Sequence, residues 1–358
     1  MLPDSAAGGH RATGSAARGD GTARAPMPPP LRCIVLVLAA LAAAAVAADS
    51  GEREPIIDVH LHAYGSDAFA QPVANPVTGQ MSGIGSEAEH RQATLAAMRR
   101  YNIVRGYVSN DNCPLEVLRR WRAADSQRIV ATPYFEGTPG SPLPDVAMLR
   151  SEYQAGWLGA MGEIGAQYGG LSPADPKLEA YFALAEELDL PVGIHTGLAA
   201  AGTPYRCCPE FRVTLGNPRL LEEVLVRHPK LRLYIMHGGW PYLEDTKAIM
   251  NMYPQVYADL AVIDWIIPRD EFHDYLRALL RAGFGRRLMF GSDQMLWPEA
   301  IGMAIEGIDS APFLTAEQKR DIFYNNAARF LRLGDERYDV VPSPASGRSA
   351  SCCASYRQ

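Results

Sequence analysis

Ile56–His62, with the sequence Ile-Ile-Asp-Val-His-Leu-His, is the stretch that decides the fold. Its apolar content is typical of a buried strand, in which alternate side chains point to the same face. Asp58, His60 and His62 would then share one face. Imidazole is the commonest protein ligand for zinc, and two imidazoles on one face can reach a single ion. A His-x-His pair is equally compatible with two structural histidines, so its meaning depends on residues downstream.

The composition is that of an ordinary globular protein. The chain has 358 residues, of which 47% are hydrophobic and 21% are charged. This length can bury the core of one large domain or of two small ones. The formal net charge is −6, which argues against a basic surface for nucleic acid or anionic lipid. The sequence therefore predicts a small-molecule partner and no nucleic acid.

The N-terminal segment has the pattern of a disordered leader followed by a secretory signal peptide. Residues 1–30 are rich in Ala, Gly, Arg and Pro, and an uncharged apolar run, Cys33–Ala47, follows Arg32. The run ends on the small-x-small pattern of a cleavage site, and its roughly 15 residues are few for a membrane span. We expect residues 1–47 to be removed and the protein to be exported, periplasmic or secreted, without a stable membrane anchor. Met1 and Met27 both remain candidates for the true start.

Strand-length apolar runs alternate with helical segments through the rest of the chain. Several runs are almost entirely apolar, which is typical of strands buried on both faces of a parallel sheet. The pattern predicts an α/β fold, a single-domain (β/α)₈ TIM barrel over residues 48–335, with a disordered tail over 336–358. A doubly wound sheet is the alternative, but no Gly-rich dinucleotide fingerprint follows the first strand. The eight predicted strands are Ile56–Ala63, Ile103–Asn110, Ile129–Phe135, Ala160–Ala166, Pro191–Gly197, Leu231–Gly239, Val256–Val262 and Arg287–Asp293.

Polar side chains with metal-ligand chemistry lie at the carboxyl ends of five predicted strands. In a barrel these ends meet at one mouth, where active sites are built. A buried imidazole or carboxylate costs free energy unless it is paired or bound to a metal. Their convergence therefore predicts a divalent metal held by His and carboxylate ligands with an open position for water. The residues at the strand ends are His60 and His62 (first strand), Glu163 (fourth), His195 (fifth), His237 (sixth) and Asp293 (eighth).

This set of motifs resembles the amidohydrolase superfamily. It is most similar to the branch that contains aminocarboxymuconate-semialdehyde decarboxylase and related metal-dependent hydrolases. The resemblance covers about Pro55 to Leu333 and is specific for the superfamily rather than for a substrate. It is carried by Asp58-x-His60-x-His62, Glu163, His195, Arg227-His228-Pro229, His237-Gly238-Gly239, Gly291-Ser292-Asp293 and the segment from Asn325 to Leu331.

The resemblance implies roles for individual residues. His60, His62, His195 and Asp293 would bind the metal, with zinc as the expected ion, and Asp293 would double as general base for a metal-activated water. His237 would polarise the substrate or assist proton transfer.

The two remaining carboxylates of the motif set are Asp58 and Glu163. Asp58 is expected to orient a ligand rather than bind the metal. Glu163 departs from the branch pattern: its Gly-Glu-Ile-Gly context resembles TatD-type nucleases of the same superfamily, where a glutamate binds metal. Glu163 is therefore a further candidate ligand, and the number of ions, one or two, remains open.

The function predicted from these residues is a metal-dependent hydrolase that attacks a C–O or C–N bond of a small ester, lactone or amide. A non-oxidative decarboxylase is the alternative, and a non-catalytic exported binding protein is a third. Arg206 and Trp240 are the candidate substrate-binding residues, and Arg206 is the one candidate for a carboxylate clamp. The substrate remains open, as does a homodimer.

Some remaining residues are expected to lie outside the site. His90 and His273 fall on predicted helices and are expected at the surface. Cys113 follows a strand on the same side as Cys207 and Cys208, so a disulfide between them is a hypothesis that geometry decides.

Overall fold

The computed structural model describes residues 53–111 and 114–334. The predicted leader, signal peptide and C-terminal tail lie outside these residues, so export remains a prediction. Cys113 also lies outside them, and the structure joins Cys207 to its neighbour Cys208. Within the described residues, no helix combines the length and the apolarity needed to cross a membrane.

All eight predicted strands are present, and every strand pair is parallel, as the near-continuous apolar runs indicated. Hydrogen bonds join the first three strands into one sheet and the last five into another, in chain order. Most strands are shorter than predicted at their carboxyl ends, where the chain leaves the sheet to form the barrel mouth. Their bounds are β1 Ile56–Tyr64, β2 Ile103–Asp111, β3 Ile129–Thr132, β4 Met161–Ile164, β5 Pro191–Ile194, β6 Arg232–Ile235, β7 Tyr257–Asp259 and β8 Leu288–Met289.

The two sheets close into a barrel through backbone hydrogen bonds at both seams. Between β3 and β4, the backbone N–H of Gly165 donates to the carbonyl of Phe135 at 2.9 Å. Between β8 and β1, the N–H of Val59 donates to the carbonyl of Phe290 at 3.1 Å. The predicted (β/α)₈ barrel is therefore confirmed, and the carboxyl ends of all eight strands meet at one mouth.

Helices cover the outside of the barrel, and the longer ones bury an apolar face. The helix Arg269–Arg281 shows the pattern: Phe272, Leu276 and Leu279 are fully buried at spacings of four and three residues, which places them on one side. The α-helices are α1 Glu87–Arg100, α2 Leu115–Ala124, α3 Val146–Gln154, α4 Glu179–Glu187, α5 Thr203–Arg206, α6 Glu222–Arg227, α7 Leu243–Met252, α8 Ile263–Ile266, α9 Arg269–Arg281, α10 Ala300–Asp309, α11 Ala316–Arg320 and α12 Asn326–Phe330.

β1 is irregular at the residues that matter most. Asp58 pairs with Gly106 and Leu61 with Val108, so three steps along β1 correspond to two along β2. Such a bulge interrupts the strict alternation expected from the sequence and changes the direction of the side chains beside it. His60 lies inside this bulge and reaches the barrel mouth together with His62.

His90 and His273 are not at the surface, and that expectation was wrong. His90 is fully buried on α1, where its ring lies 5.5 Å from the indole of Trp121, centre to centre. Its Nε2–H donates to the carbonyl of Met295, which follows β8, at 2.8 Å. His273 on α9 donates in the same way to the carbonyl of Gly307. Each histidine thus fixes a helix to a neighbouring segment.

Burial of His90 predicts an acid-sensitive contribution to stability. Desolvation lowers the pKa of His90 to about 4, below the ordinary value of 6.5, so the unfolded state binds the proton more readily than the folded state. The stability that neutral His90 provides is present above pH 6.5 and is lost as the pH falls toward 4. Between pH 7.5 and pH 4.5 this loss amounts to about 2.5 kcal/mol.

The measurement is urea unfolding of the wild type and of His90→Gln at these two pH values. Glutamine can still donate to the carbonyl of Met295 but does not titrate. We expect the variant to lose about 2.5 kcal/mol less than the wild type on acidification. Equal losses in the two proteins would show that His90 does not titrate as described.

Candidate metal centre

Six buried side chains meet at the mouth of the barrel, and they are the six that the sequence placed at the strand ends. None exposes more than 6% of its surface. The structure thus brings these six residues together, and we call them the ligand cluster: His60 and His62 on β1, Glu163 on β4, His195 after β5, His237 after β6 and Asp293 after β8.

Glu163 lies between two pairs of imidazoles. Its Oε2 is 3.2 Å from Nε2 of His60 and 3.3 Å from Nε2 of His62. Its Oε1 is 2.5 Å from Nδ1 of His195 and 3.8 Å from Nε2 of His237. One carboxylate thus faces both halves of the cluster, and each of its oxygens serves one half.

The imidazoles are oriented from behind by hydrogen bonds to their other ring nitrogens. Nδ1 of His60 lies 3.1 Å from a carboxylate oxygen of Asp259, and Nδ1 of His237 lies 3.2 Å from the carbonyl of Ala261. Both partners accept, so each Nδ1 carries a proton, and Nε2 is the ring nitrogen that faces Glu163. Nδ1 of His62 is 3.1 Å from the hydroxyl of Ser109. Metal-binding histidines are typically held in this way.

The donor set fits a divalent cation. Three overlapping groups within the cluster have ligand atoms that all lie within 4.8 Å of one another. In addition, Nε2 of His195 is buried and has no hydrogen-bond partner among residues 53–111 and 114–334. A buried ring nitrogen without a partner is costly unless an ion or a water binds it. The three groups are His60–His237–Asp293, His60–His62–Glu163 and Glu163–His195–His237.

The ligand cluster holds two carboxylates, and its imidazoles stabilise their negative charge. Burial alone would raise the pKa of Glu163, but hydrogen bonds from His195, His237 and His60 hold that pKa well below its usual value. Burial would likewise raise the pKa of Asp293, but the imidazoles lower it to about 2. Both carboxylates are therefore ionised at neutral pH.

His62 shows the complementary effect. Burial alone would lower its pKa, but hydrogen bonds to Asp293 and Glu163 raise it to about 10. The surroundings thus favour a positive charge at this position, which a divalent ion can supply in place of protons.

Asp58 lies behind the cluster and belongs to none of the three groups of ligand atoms. Its side chain accepts hydrogen bonds from the backbone N–H of His60 at 3.1 Å and from the hydroxyl of Ser292 at 2.6 Å. Burial raises the pKa of Asp58 to about 7. Gln294 makes a matching link, because its side chain bonds both the N–H and the carbonyl of His62. These contacts fasten β1 to the segment after β8.

Strained backbone positions two of the cluster residues. His237 and Asp293 have φ values of 59° and 44°, in the left-handed region that non-glycine residues seldom adopt. Gly239, two residues after His237, is also left-handed, and a Cβ there would lie 2.2 Å from the hydroxyl of Thr246. Such strain persists where the surrounding structure enforces it, as at a functional site.

Asp259 makes two contacts that the sequence does not reveal. It is fully buried at the end of β7. One oxygen binds Nδ1 of His60, and the other accepts the backbone N–H of His237 at 2.7 Å. Asp259 therefore ties the two halves of the cluster together. Its place at a strand end was the available signal, but its partners are about 20 and 200 residues away in the chain.

We predict that Asp259→Asn lowers metal affinity by about 10- to 100-fold. An amide can donate to Nδ1 of His60, which would move the ring proton to Nε2 and block the lone pair that faces Glu163. Competition with a chromogenic chelator measures the affinity.

Asp264→Asn is the matched control. Asp264 is also fully buried, but neither of its carboxyl oxygens has a hydrogen-bond partner among the described residues, so the substitution removes no hydrogen bond to the ligand cluster. We expect unchanged metal affinity in this control. Equal effects of the two substitutions would contradict the role given to Asp259.

A cavity of about 190 Å³ borders the cluster, and His195, His237 and Asp293 form part of its wall. Trp240, a predicted substrate-binding residue, lines this cavity, and its indole N–H donates to Glu271. Arg206 does not line it. Arg206 is exposed on α5, where its guanidinium donates to the backbone carbonyl of Ala201. The geometry thus gives no support to the predicted carboxylate clamp.

Comparison with known families and curated proteins gives two sequence matches. The family model described as Amidohydrolase matches residues 57–333. Among curated proteins, Protein fluG of Emericella nidulans is 23% identical over 162 residues, which is 41% of this chain and 18% of that protein. The chain therefore spans less than a fifth of the length of this relative.

Two solved structures show the same fold at low sequence identity. A probable 2-pyrone-4,6-dicarboxylic acid hydrolase from Acinetobacter baumannii, with citric acid bound, has a TM-score of 0.54 and 12% identity over 77% of this chain and 99% of that one. A 5-carboxyvanillate decarboxylase from Novosphingobium aromaticivorans, with bound manganese and a nitrobenzoic acid, has a TM-score of 0.56 and 12% identity over 80% and 98%.

Proposed function

The chain belongs to the amidohydrolase family and is an enzyme, and we propose that it is a metal-dependent hydrolase of small esters, lactones or amides. Family membership confirms the resemblance inferred from the strand-end residues and argues against the non-catalytic binding protein. The observation that carries the proposal is the ligand cluster, in which two ionised carboxylates stand among four imidazoles beside a cavity.

The geometry supports two adjacent ion positions that share Glu163. One would be formed by His60 and His62 with Oε2 of Glu163, and the other by His195 and His237 with Oε1. A set rich in imidazole suits zinc, which we retain as the proposed ion. His237 would then be a ligand as well as a neighbour of the substrate, which extends the role that the sequence suggested.

We predict about two equivalents of divalent metal per chain after zinc loading and dialysis. His237→Ala removes a ligand of one position only and should retain about one equivalent. Glu163→Gln weakens both positions at once and should retain less than His237→Ala. Elemental analysis of the dialysed proteins gives these values.

The control for this series is His273→Gln, a buried histidine outside the cluster that should keep the wild-type metal content. A wild type that saturates at one equivalent, with Glu163→Gln unchanged, would contradict the shared-carboxylate arrangement.

When bound, a divalent ion would polarise a carbonyl and lower the pKa of water toward neutrality. The chain supplies the remaining groups. Asp293 is ionised, lies 3.1 Å from Nε2 of His62 and lines the cavity, so it can accept a proton from an attacking water. His237 lines the same cavity and is held by the carbonyl of Ala261, which fixes its ring toward the reacting atoms. Trp240 helps to exclude water from one side.

A decarboxylase is the alternative and would use the same cluster. It needs a substrate carboxylate held beside an unsaturated centre, and Arg206, the sequence candidate for that clamp, points its guanidinium back to its own loop. Hydrolysis needs an ionised base beside the cavity, and Asp293 meets that need. The position of these two residues therefore favours the hydrolase.

Turnover in ¹⁸O-labelled water separates the two reactions. We expect the zinc-loaded enzyme to release acetate carrying one labelled oxygen from an aryl acetate, and Asp293→Asn to be slower by about 100-fold or more. Product masses and gas-phase CO₂ are measured together. Release of CO₂ from an aromatic carboxylate, with no labelled acetate from any ester, would replace the hydrolase by the decarboxylase.

A further inference from the structure

The cavity beside the ligand cluster has apolar walls. Of the thirteen residues that line it, those able to carry charge are three members of the cluster and Tyr168. The rest are aliphatic, aromatic or methionine side chains. Its apolar lining includes Leu198, Trp240, Val262, Ile263, Ile266 and Ile267.

Cationic side chains near the mouth are committed elsewhere. No Lys or Arg from the described part of the chain lines the cavity. Arg206 donates to the carbonyl of Ala201, and Arg212 donates to the carbonyls of Pro209 and Phe211. The indole N–H of Trp240, another donor at the wall, is bound to Glu271.

A negatively charged group that entered the part of this cavity away from the ligand cluster would therefore meet no cationic side chain. An ionised carboxylate without a partner in an apolar site loses its hydration and gains nothing in return. Asp293, which is ionised and lines the cavity, would add repulsion. An apolar group meets no such penalty and gains free energy in proportion to the area that it buries.

We propose that the substrate carries an uncharged, apolar group into this cavity, so that the enzyme acts on neutral esters, lactones or amides and discriminates against substrates with a second, anionic end. This inference rests on the proposed hydrolase, since it names the substrate class of the same site. It adds a selectivity that the cluster by itself does not determine.

A matched pair of aryl esters tests the selectivity. 4-Methylphenyl acetate and 4-acetoxybenzoate differ at one para position, where a methyl group replaces a carboxylate. We expect kcat/KM of the zinc-loaded enzyme to be higher for 4-methylphenyl acetate than for 4-acetoxybenzoate by about 100-fold, which corresponds to about 2.7 kcal/mol. The carboxylate ester has the better leaving group, so intrinsic reactivity acts against this expectation. Equal or higher kcat/KM for 4-acetoxybenzoate would overturn the proposal.

Binding of the two phenol products, 4-methylphenol and 4-hydroxybenzoate, separates this proposal from the proposed function. If neither ester is hydrolysed, the hydrolase proposal is contradicted, but the relative affinity of the two phenols for the zinc-loaded protein still reports on the cavity. Tighter binding of 4-methylphenol supports an apolar substrate group. Tighter binding of 4-hydroxybenzoate overturns it, whatever the reaction.

A new cation at the cavity rim should reverse the selectivity. Ile266 lines the cavity and is 37% exposed at the end of α8, so an arginine there can keep its charge in water and still reach an anionic ligand. We expect Ile266→Arg to raise kcat/KM for 4-acetoxybenzoate relative to 4-methylphenyl acetate by about tenfold.

Val226→Arg is the matched control for this substitution. Val226 is an aliphatic residue on α6, is 61% exposed and does not line the cavity. It should keep the wild-type ratio of the two esters. An unchanged ratio in Ile266→Arg, with the protein folded and zinc-loaded, would show that the cavity does not receive the para group.

Discussion

The position of Glu163 between two pairs of imidazoles is the constraint on which the rest of the site depends. A carboxylate that is 4% exposed is costly to bury unless it is paired. Here its Oε2 faces His60 and His62, and its Oε1 faces His195 and His237. The barrel makes this possible because the carboxyl ends of its parallel strands meet at one mouth, so imidazoles from β1 and from the ends of β5 and β6 can surround one side chain on β4.

Residues around the ligand cluster fix the positions of its side chains. Asp259 fixes the ring of His60 and the backbone of His237, so both halves of the cluster are held by one buried carboxylate. Asp58 and Gln294 join β1 to the segment after β8, where Asp293 lies. These hydrogen bonds hold the strained backbone at His237 and Asp293 in place. The apolar cavity beside the cluster limits water and so strengthens charge interactions within it.

Much of this arrangement could be predicted from the sequence, because the relevant signals are local. Apolar runs of strand length predicted all eight strands, and polar residues at the ends of the fifth, sixth and eighth runs identified His195, His237 and Asp293 as candidates. What could not be predicted depends on contacts between distant residues. The bulge at His60 arises from pairing with β2, and the contact between Asp259 and His60 spans 199 residues. His90 carries a polar side chain on a helix, and only the fold shows that Met295 supplies the carbonyl that permits its burial. Arg206 had suitable chemistry for a clamp, but its loop turns the guanidinium toward its own backbone.

Anomalous diffraction from zinc-loaded crystals tests most directly whether the ligand cluster is a metal centre organised by Glu163. We predict two peaks about 3.5–4 Å apart, one on each side of the Glu163 carboxylate. Each peak should lie about 2.0–2.2 Å from its nitrogen and oxygen ligands, with His60 and His62 around one and His195 and His237 around the other. A fully zinc-saturated crystal with no peak within the cluster, or with its peaks bound elsewhere, would contradict the central claim.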